Sequence, residues 1–147
     1  MSLHPTNELV AVGWLKGVAA LDDNVATELP ADNTTWSASG FVQVTAIGGT
    51  PELTVPVARP VLSLDFWACN PNGTKLPWWK ANQLAEHVRA AVHDHAGTPR
   101  LVALTGNYND ARVLDAWFVN EPRRIRSDDA NYAHFTADLG LAWVEVT

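Results

Sequence analysis

Apolar positions recur at helical spacing in two parts of the chain and alternate in four others. Val10, Trp14, Val18 and Leu21 form one stripe, which predicts a helix over the segment 9–21 with Thr6 or Asn7 as its N-cap. Gly13 and Gly17 lie off that stripe; they weaken the helix and would admit close approach of another backbone. Residues 41–47, FVQVTAI, read as a strand, broken by Gly48-Gly49-Thr50-Pro51. Residues 60–69, PVLSLDFWAC, form a second strand, with Leu62, Leu64, Phe66 and Ala68 on one face and Ser63, Asp65 and Trp67 on the other. Pro60 suits only the first position of that strand or an edge.

A second helix is predicted over residues 78–95, with Ala81, Leu84, Ala85, Val88 and Val92 as its apolar stripe. Pro77 precedes it and Gly97 and Pro99 stop it. In 111–120, Val113, Asp115, Trp117 and Val119 share one face and Leu114, Ala116 and Phe118 the other. In 132–146, Phe135, Ala137, Leu139, Leu141 and Trp143 share a face. The intervening segments 22–40, 70–77 and 121–131 are rich in polar and turn-forming residues and read as long projecting loops. The order helix, strand, strand, helix, strand, strand implies an α+β fold: a largely antiparallel or mixed sheet of about four to five strands packed against two main helices.

Composition narrows this picture. At 147 residues, without repeat or linker, the chain reads as one domain spanning 1–147. A hydrophobic share of 47% with 18% charged residues marks a globular protein able to fold without disulfide or metal. The apolar run near the N-terminus is too short to cross a bilayer and lacks a basic start, so no membrane role is expected. The single Cys69 fits a reducing compartment, and Asn33-Thr34-Thr35 and Asn72-Gly73-Thr74 are read as chance matches to the glycosylation pattern. A net charge of −6 argues against a nucleic-acid grip through phosphates. Arg123, Arg124 and Arg126 form the one dense basic cluster, with Asp128 and Asp129 directly after it.

Candidate chemistry is sparse. His93 and His95 are two apart on a helix and point about 200° from each other, and His87 and His93, six apart, also fail to converge. No metal site or cofactor is expected. No phosphate loop or Gly-x-Ser-x-Gly elbow occurs, and Cys69 has no basic neighbour in sequence to activate it. Asp65 and Asp115 could meet across a sheet as a carboxylate pair, although such alternating acids more often face solvent or an arginine.

Seven tryptophans are many for this length. On a helical wheel the apolar stripe of the second helix is centred about 75° from Trp78 and nearly opposite Trp79. Trp78 then caps the core edge, and Trp79 stands outward beside Lys80 as a contact for a partner. Trp67 lies on the strand face opposite Leu62, Leu64 and Phe66, so a helix or another subunit must cover it. Trp79, Lys80 and Trp67, the loop residues Asn72 and Lys75, and Arg123, Arg124 and Arg126 are the candidate subunit or partner interface.

A set of ordered motifs adds to this reading: Glu8-Leu9-Val10-Ala11 with Trp14-Leu15, Val25-Ala26 with Leu29-Pro30 and Trp36, Ser39-Gly40-Phe41-Val42, Gly48-Gly49 and Arg59-Pro60-Val61. Asp65-x-Trp67-Ala68 and Lys75-x-Pro77-Trp78-x-Lys80-Ala81-Asn82-x-Leu84-Ala85-Glu86 complete it. In these the chain resembles tail terminator proteins of long-tailed bacteriophages, especially those infecting actinobacteria, over most of its length and most densely over 8–92. The resemblance implies a structural virion protein, not an enzyme. Such a protein is assembled in the host cytoplasm and placed at the tail–neck junction. Its implied partners are itself in a hexameric ring, the tail tube protein, and the head–tail connector or neck protein. DNA would pass through the ring's bore without specific binding, which an acidic lumen suits. A head-side neck adaptor is the alternative close in role, and a small enzyme or ligand-binding domain the alternative from another class.

Overall fold

The computed structural model describes residues 2–18, 21–49, 54–70, 77–126 and 132–147. Two helices, α1 (Asn7–Lys16) and α2 (Trp78–His93), pack on a sheet whose strands are β1 (Val25–Ala26), β2 (Phe41–Gly49), β3 (Pro60–Cys69), β4 (Arg100–Val102), β5 (Asp110–Ile125) and β6 (Tyr132–Val146). The strand order is β1-β2-β3-β6-β5-β4. Among the described strand pairs, β1–β2 alone is parallel, so the fold is α+β with a mixed sheet. The sheet has six strands, not four to five. The two additions, β1 and β4, are two and three residues long, too short for alternation to mark them.

The β3 and β6 patterns are realised as expected. Leu62, Leu64, Phe66 and Ala68 are fully buried, and Ala137, Leu139, Leu141 and Trp143 are buried beside them, with Phe135 packed on the rim. The helices cover this face. From α2, Leu84, Ala85, Val88 and Val92 enter the same core, and Ala81 joins a smaller cluster with Ala68 and Ala133.

The α1 stripe extends beyond its helix. Thr6 caps the N-terminus, its Oγ1 accepting from the Leu9 N–H at 3.2 Å. The helix stops at Lys16, where the Gly17 N–H turns back to the Trp14 carbonyl. Val18 and Leu21 are buried in the core all the same, from the connection that follows. The residues 22–40 hold β1 and a short 3-10 turn, Asn33–Thr35, so this expected loop is structured in part. At the other end, α2 closes two residues before the expected 95. There the Asp94 carboxylate accepts from the Gly97 N–H at 3.2 Å, and the Thr98 hydroxyl sits 2.9 Å from the Ala91 carbonyl.

The largest corrections fall on β5. Register shifts at Val113/Asp115, Phe118/Asn120 and Asn120/Arg123 interrupt its alternation. Val113 and Ala116 are both buried while Leu114 and Asp115 are exposed, so the two expected faces do not hold along the strand. The segment 121–131 is not wholly a loop. Arg123, Arg124 and Ile125 pair with Thr136, Phe135 and His134. Residues 127–131 lie outside the described residues.

Gly13 admits a close approach, but of a side chain: a Cβ there would overlap Val102 Cγ1 on β4. The same contact is reinforced by Arg100, whose guanidinium donates to the Trp14 carbonyl and lies 4.8 Å from the Trp14 ring. Burial lowers the Arg100 pKa from its ordinary value. Gly13→Ala would gain up to about 1 kcal/mol in helix propensity. It would lose about 1–3 kcal/mol by overpacking against a stiff, buried valine. The expected outcome is a net loss of stability, read as a lower midpoint in urea unfolding.

Candidate functional site

Among the described residues no group of three His, Cys, Asp or Glu side chains stands where it could hold a metal ion. Asp65 and Asp115 do not form a carboxylate pair. Asp65 lies opposite Thr136 and Asp115 opposite Ala142, so β6 separates them and six positions along it, about 20 Å, lie between. Asp65 instead meets His134, whose Nε2 is 2.7 Å from Oδ1. A cleft of ≈ 440 Å³ lies between the α1 N-terminus and the end of β2, lined among others by His4, Thr6, Asn7, Arg59 and Trp143. Its polar groups serve the fold. His4 stacks on Trp143 at 5.4 Å and pairs with Glu145 at 3.2 Å, and the Trp143 indole donates to Asn7 at 3.0 Å. Among the described residues that line it, no nucleophile and base are assembled.

The predicted interface residues separate into three places. Trp79 is 68% exposed on the first turn of α2, with Lys80 Nζ 5.7 Å from its ring. Trp78, one residue earlier, is half-buried; its ring meets Phe135 edge-on at 6.2 Å, and the Arg124 guanidinium lies 5.1 Å over it. Arg124 thus fastens the end of β5 to the start of α2. Arg123 pairs with Thr136 and is exposed, as is Arg126 just beyond the strand. Asn72 and Lys75 lie outside the described residues.

Trp67 occupies the opposite side of the sheet. It is half-buried, stacked on His134 at 3.9 Å and 11°, met edge-on by Tyr132 at 6.0 Å, and donates to the Gln43 side-chain carbonyl at 3.2 Å. Tyr132 in turn stacks on the buried Trp36. Aromatic residues of the chain itself pack against Trp67, which stays partly exposed. His134 and Tyr132 were missed as its partners. His134 falls on the polar phase of β6, yet only the β3–β6 register brings it beside Trp67.

No protein-family profile and no curated protein matches the sequence. Among solved structures, the fold is similar to a chain from the virion of a native gene transfer agent (GTA) particle. The two align over 92% of this chain and 94% of that one, with a TM-score of 0.56 and 13% identity. At that identity the likeness concerns the fold. A second solved chain aligns over 91% of this chain and 89% of its own with a TM-score of 0.39, too low to carry an argument. No helix among the described residues is long and apolar enough to cross a membrane.

Two outcomes follow from these placements. Trp79→Ala should change stability by no more than about 0.5 kcal/mol, whereas Trp78→Ala, which strips the packing from Phe135 and Arg124, should cost about 2 kcal/mol or more. Chemical denaturation of the two variants separates them. Cys69 is buried, and desolvation raises its thiol pKa. Since only the thiolate reacts, a disulfide reagent at neutral pH should label Cys69 slowly in the native protein and quickly after unfolding.

Proposed function

We propose that this chain is a tail terminator of a long-tailed phage or phage-like particle, a non-enzymatic virion protein. It forms a ring that caps the finished tail tube, stops its polymerisation and presents the surface on which the head or neck docks. The observation that carries the reading is the end-to-end likeness of fold to a GTA virion chain, reached independently of the ordered motifs quoted above. The absence of an assembled catalytic group among the described residues is compatible with it. So is an exposed tryptophan on an otherwise polar helix face, since aromatic anchors of this kind concentrate binding energy at interfaces.

The ring would hold six copies, with the tail tube protein on one side and the connector or neck protein on the other. Each subunit would use two different surfaces, because a cyclic ring of this order is built from head-to-tail contacts. Viral DNA would pass through the bore unread. The acidic chain suits that passage, because a repulsive lumen does not retain phosphates.

The decisive measurement is assembly. Native mass spectrometry, or negative-stain imaging with purified tail tubes, should show a species near six times 16.0 kDa or rings on tube ends. Added protein should halt tube growth. Trp79→Ala should lower ring yield while leaving the melting temperature of the monomer unchanged. A protein that stays monomeric, forms no rings on tubes and leaves their growth unaffected would sink the proposal, and binding to isolated capsid connectors but not to tubes would place it on the head side.

A further inference from the structure

At one level of the sheet, exposed acids flank one edge and exposed arginines the other. Following the register across, Val25 of β1 stands opposite Val42, Val42 opposite Phe66, Phe66 opposite Phe135, and Phe135 opposite Arg124 of β5. β4 pairs only with Ala111–Val113, so at this level β5 is itself the edge strand. The two edges are four strand spacings apart, about 19 Å. At the β1 edge, residues 21–32 hold Asp22, Asp23, Glu28 and Asp32, all exposed, and no basic residue. At the β5 edge, residues 122–126 hold Arg123, Arg124 and Arg126, all exposed, and no acid.

Among the described residues, the acids that neighbour the arginines are already held. Glu121 pairs with Arg89, Asp138 accepts from Asn120, and Asp65 is bound to His134. Arg124 lies over Trp78. Among the described residues, Arg123 and Arg126 have no ion-pair partner.

We infer that the β5 edge of one copy, through Arg123 and Arg126, docks on the acidic β1 edge of the next copy, through Asp23 and Glu28. The inference rests on the ring reading and names the subunit contact within it. Two different, complementary edges on one molecule make a heterologous contact, which repeats head to tail and closes into a ring when its rotation divides the circle. The contact is made by side chains and does not continue the sheet. Two register shifts and Pro122 interrupt the β5 edge over Phe118–Arg123, a pattern that prevents strand addition. Charge complementarity of this kind sets orientation and speeds encounter, while Val119, 48% exposed on the same edge, supplies apolar area.

The test is a charge exchange between copies. R123E/R126E places two carboxylates where the β5 edge docks, and D23K/E28K places two lysines where the β1 edge docks, bringing that edge from −4 to neutral. Asp22 is left in place because its φ is +44°, and Asp32 because it caps the 3-10 turn. Each variant alone should fold normally by circular dichroism, yet its ringed fraction should fall at least about tenfold. An equimolar mixture should restore rings in which the two variants alternate, a pattern that closes only with an even number of subunits. The single chain carrying all four substitutions should also assemble alone. Wild-type ring formation should slow as salt shortens the screening length toward about 3 Å. If both variants form rings alone as well as the wild type does, this contact is wrong and the ring reading survives. If D128K/D129K in the same chain rescues R123E/R126E and the mixed partner does not, the arginines serve a local pairing and the inference falls. If the wild type forms no rings even on tail tubes, the ring reading itself falls.

Discussion

β3 and β6 pair without a bulge from Val61↔Gly140 to Cys69↔Tyr132, and this ladder positions nearly everything else. It aligns Leu62, Leu64 and Phe66 with Leu139, Ala137 and Phe135 on the face that the two helices cover. It also aligns Asp65 with Thr136 and Trp67 with His134 on the other face. A slip of one residue would exchange the two faces and send the apolar set into water, so the register is specified by burial itself. β2 then adds to β3, and β5 to β6, each accepting irregularity that the central pair does not have.

Both helices lie on one face, which leaves the other to side chains. Trp67, His134, Tyr132 and Trp36 form one continuous aromatic cover over the β2–β3–β6 end. Toward the opposite end, Gly140 leaves room for Trp117: a Cβ there would overlap the indole, so only glycine lets the ring lie against the β6 backbone. Several of the seven tryptophans thus close a two-layer fold over a sheet that would otherwise show a bare face.

The long elements were legible in the sequence because their burial is periodic. The β3 and β6 faces and the α2 stripe follow directly from residue types at period two and period 3.6. β1 and β4 were hidden by brevity, and the outer half of β5 by composition. Glu121-Pro122-Arg123-Arg124 reads as a turn, yet the strand only bulges at Glu121 and Pro122, and Arg123 and Arg124 pair with β6 again. Periodicity also could not reveal that Val113 and Ala116 share the core, since a bulge changes the phase between them. Of the candidate surface, the outward direction of Trp79 followed from the wheel alone. The Trp67–His134–Asp65 cluster did not, because partners on two strands are joined only by register.

Position 78 links the packed and the presented parts of the molecule. Trp78 meets Phe135 of β6 on one side and carries Arg124 of β5 on the other, so the end of the β5–β6 hairpin is tied to the start of α2. Arg123 flanks this anchored residue directly, and Arg126 follows two positions on. A charged surface held this way loses less conformational freedom on binding than one on a free loop, and association keeps more of its favourable energy. The neighbouring Trp79 leaves the same support in the other direction, exposed and touched by Lys80. The two adjacent rings therefore divide the work: one stiffens the frame, and the other stands on it where a partner can reach.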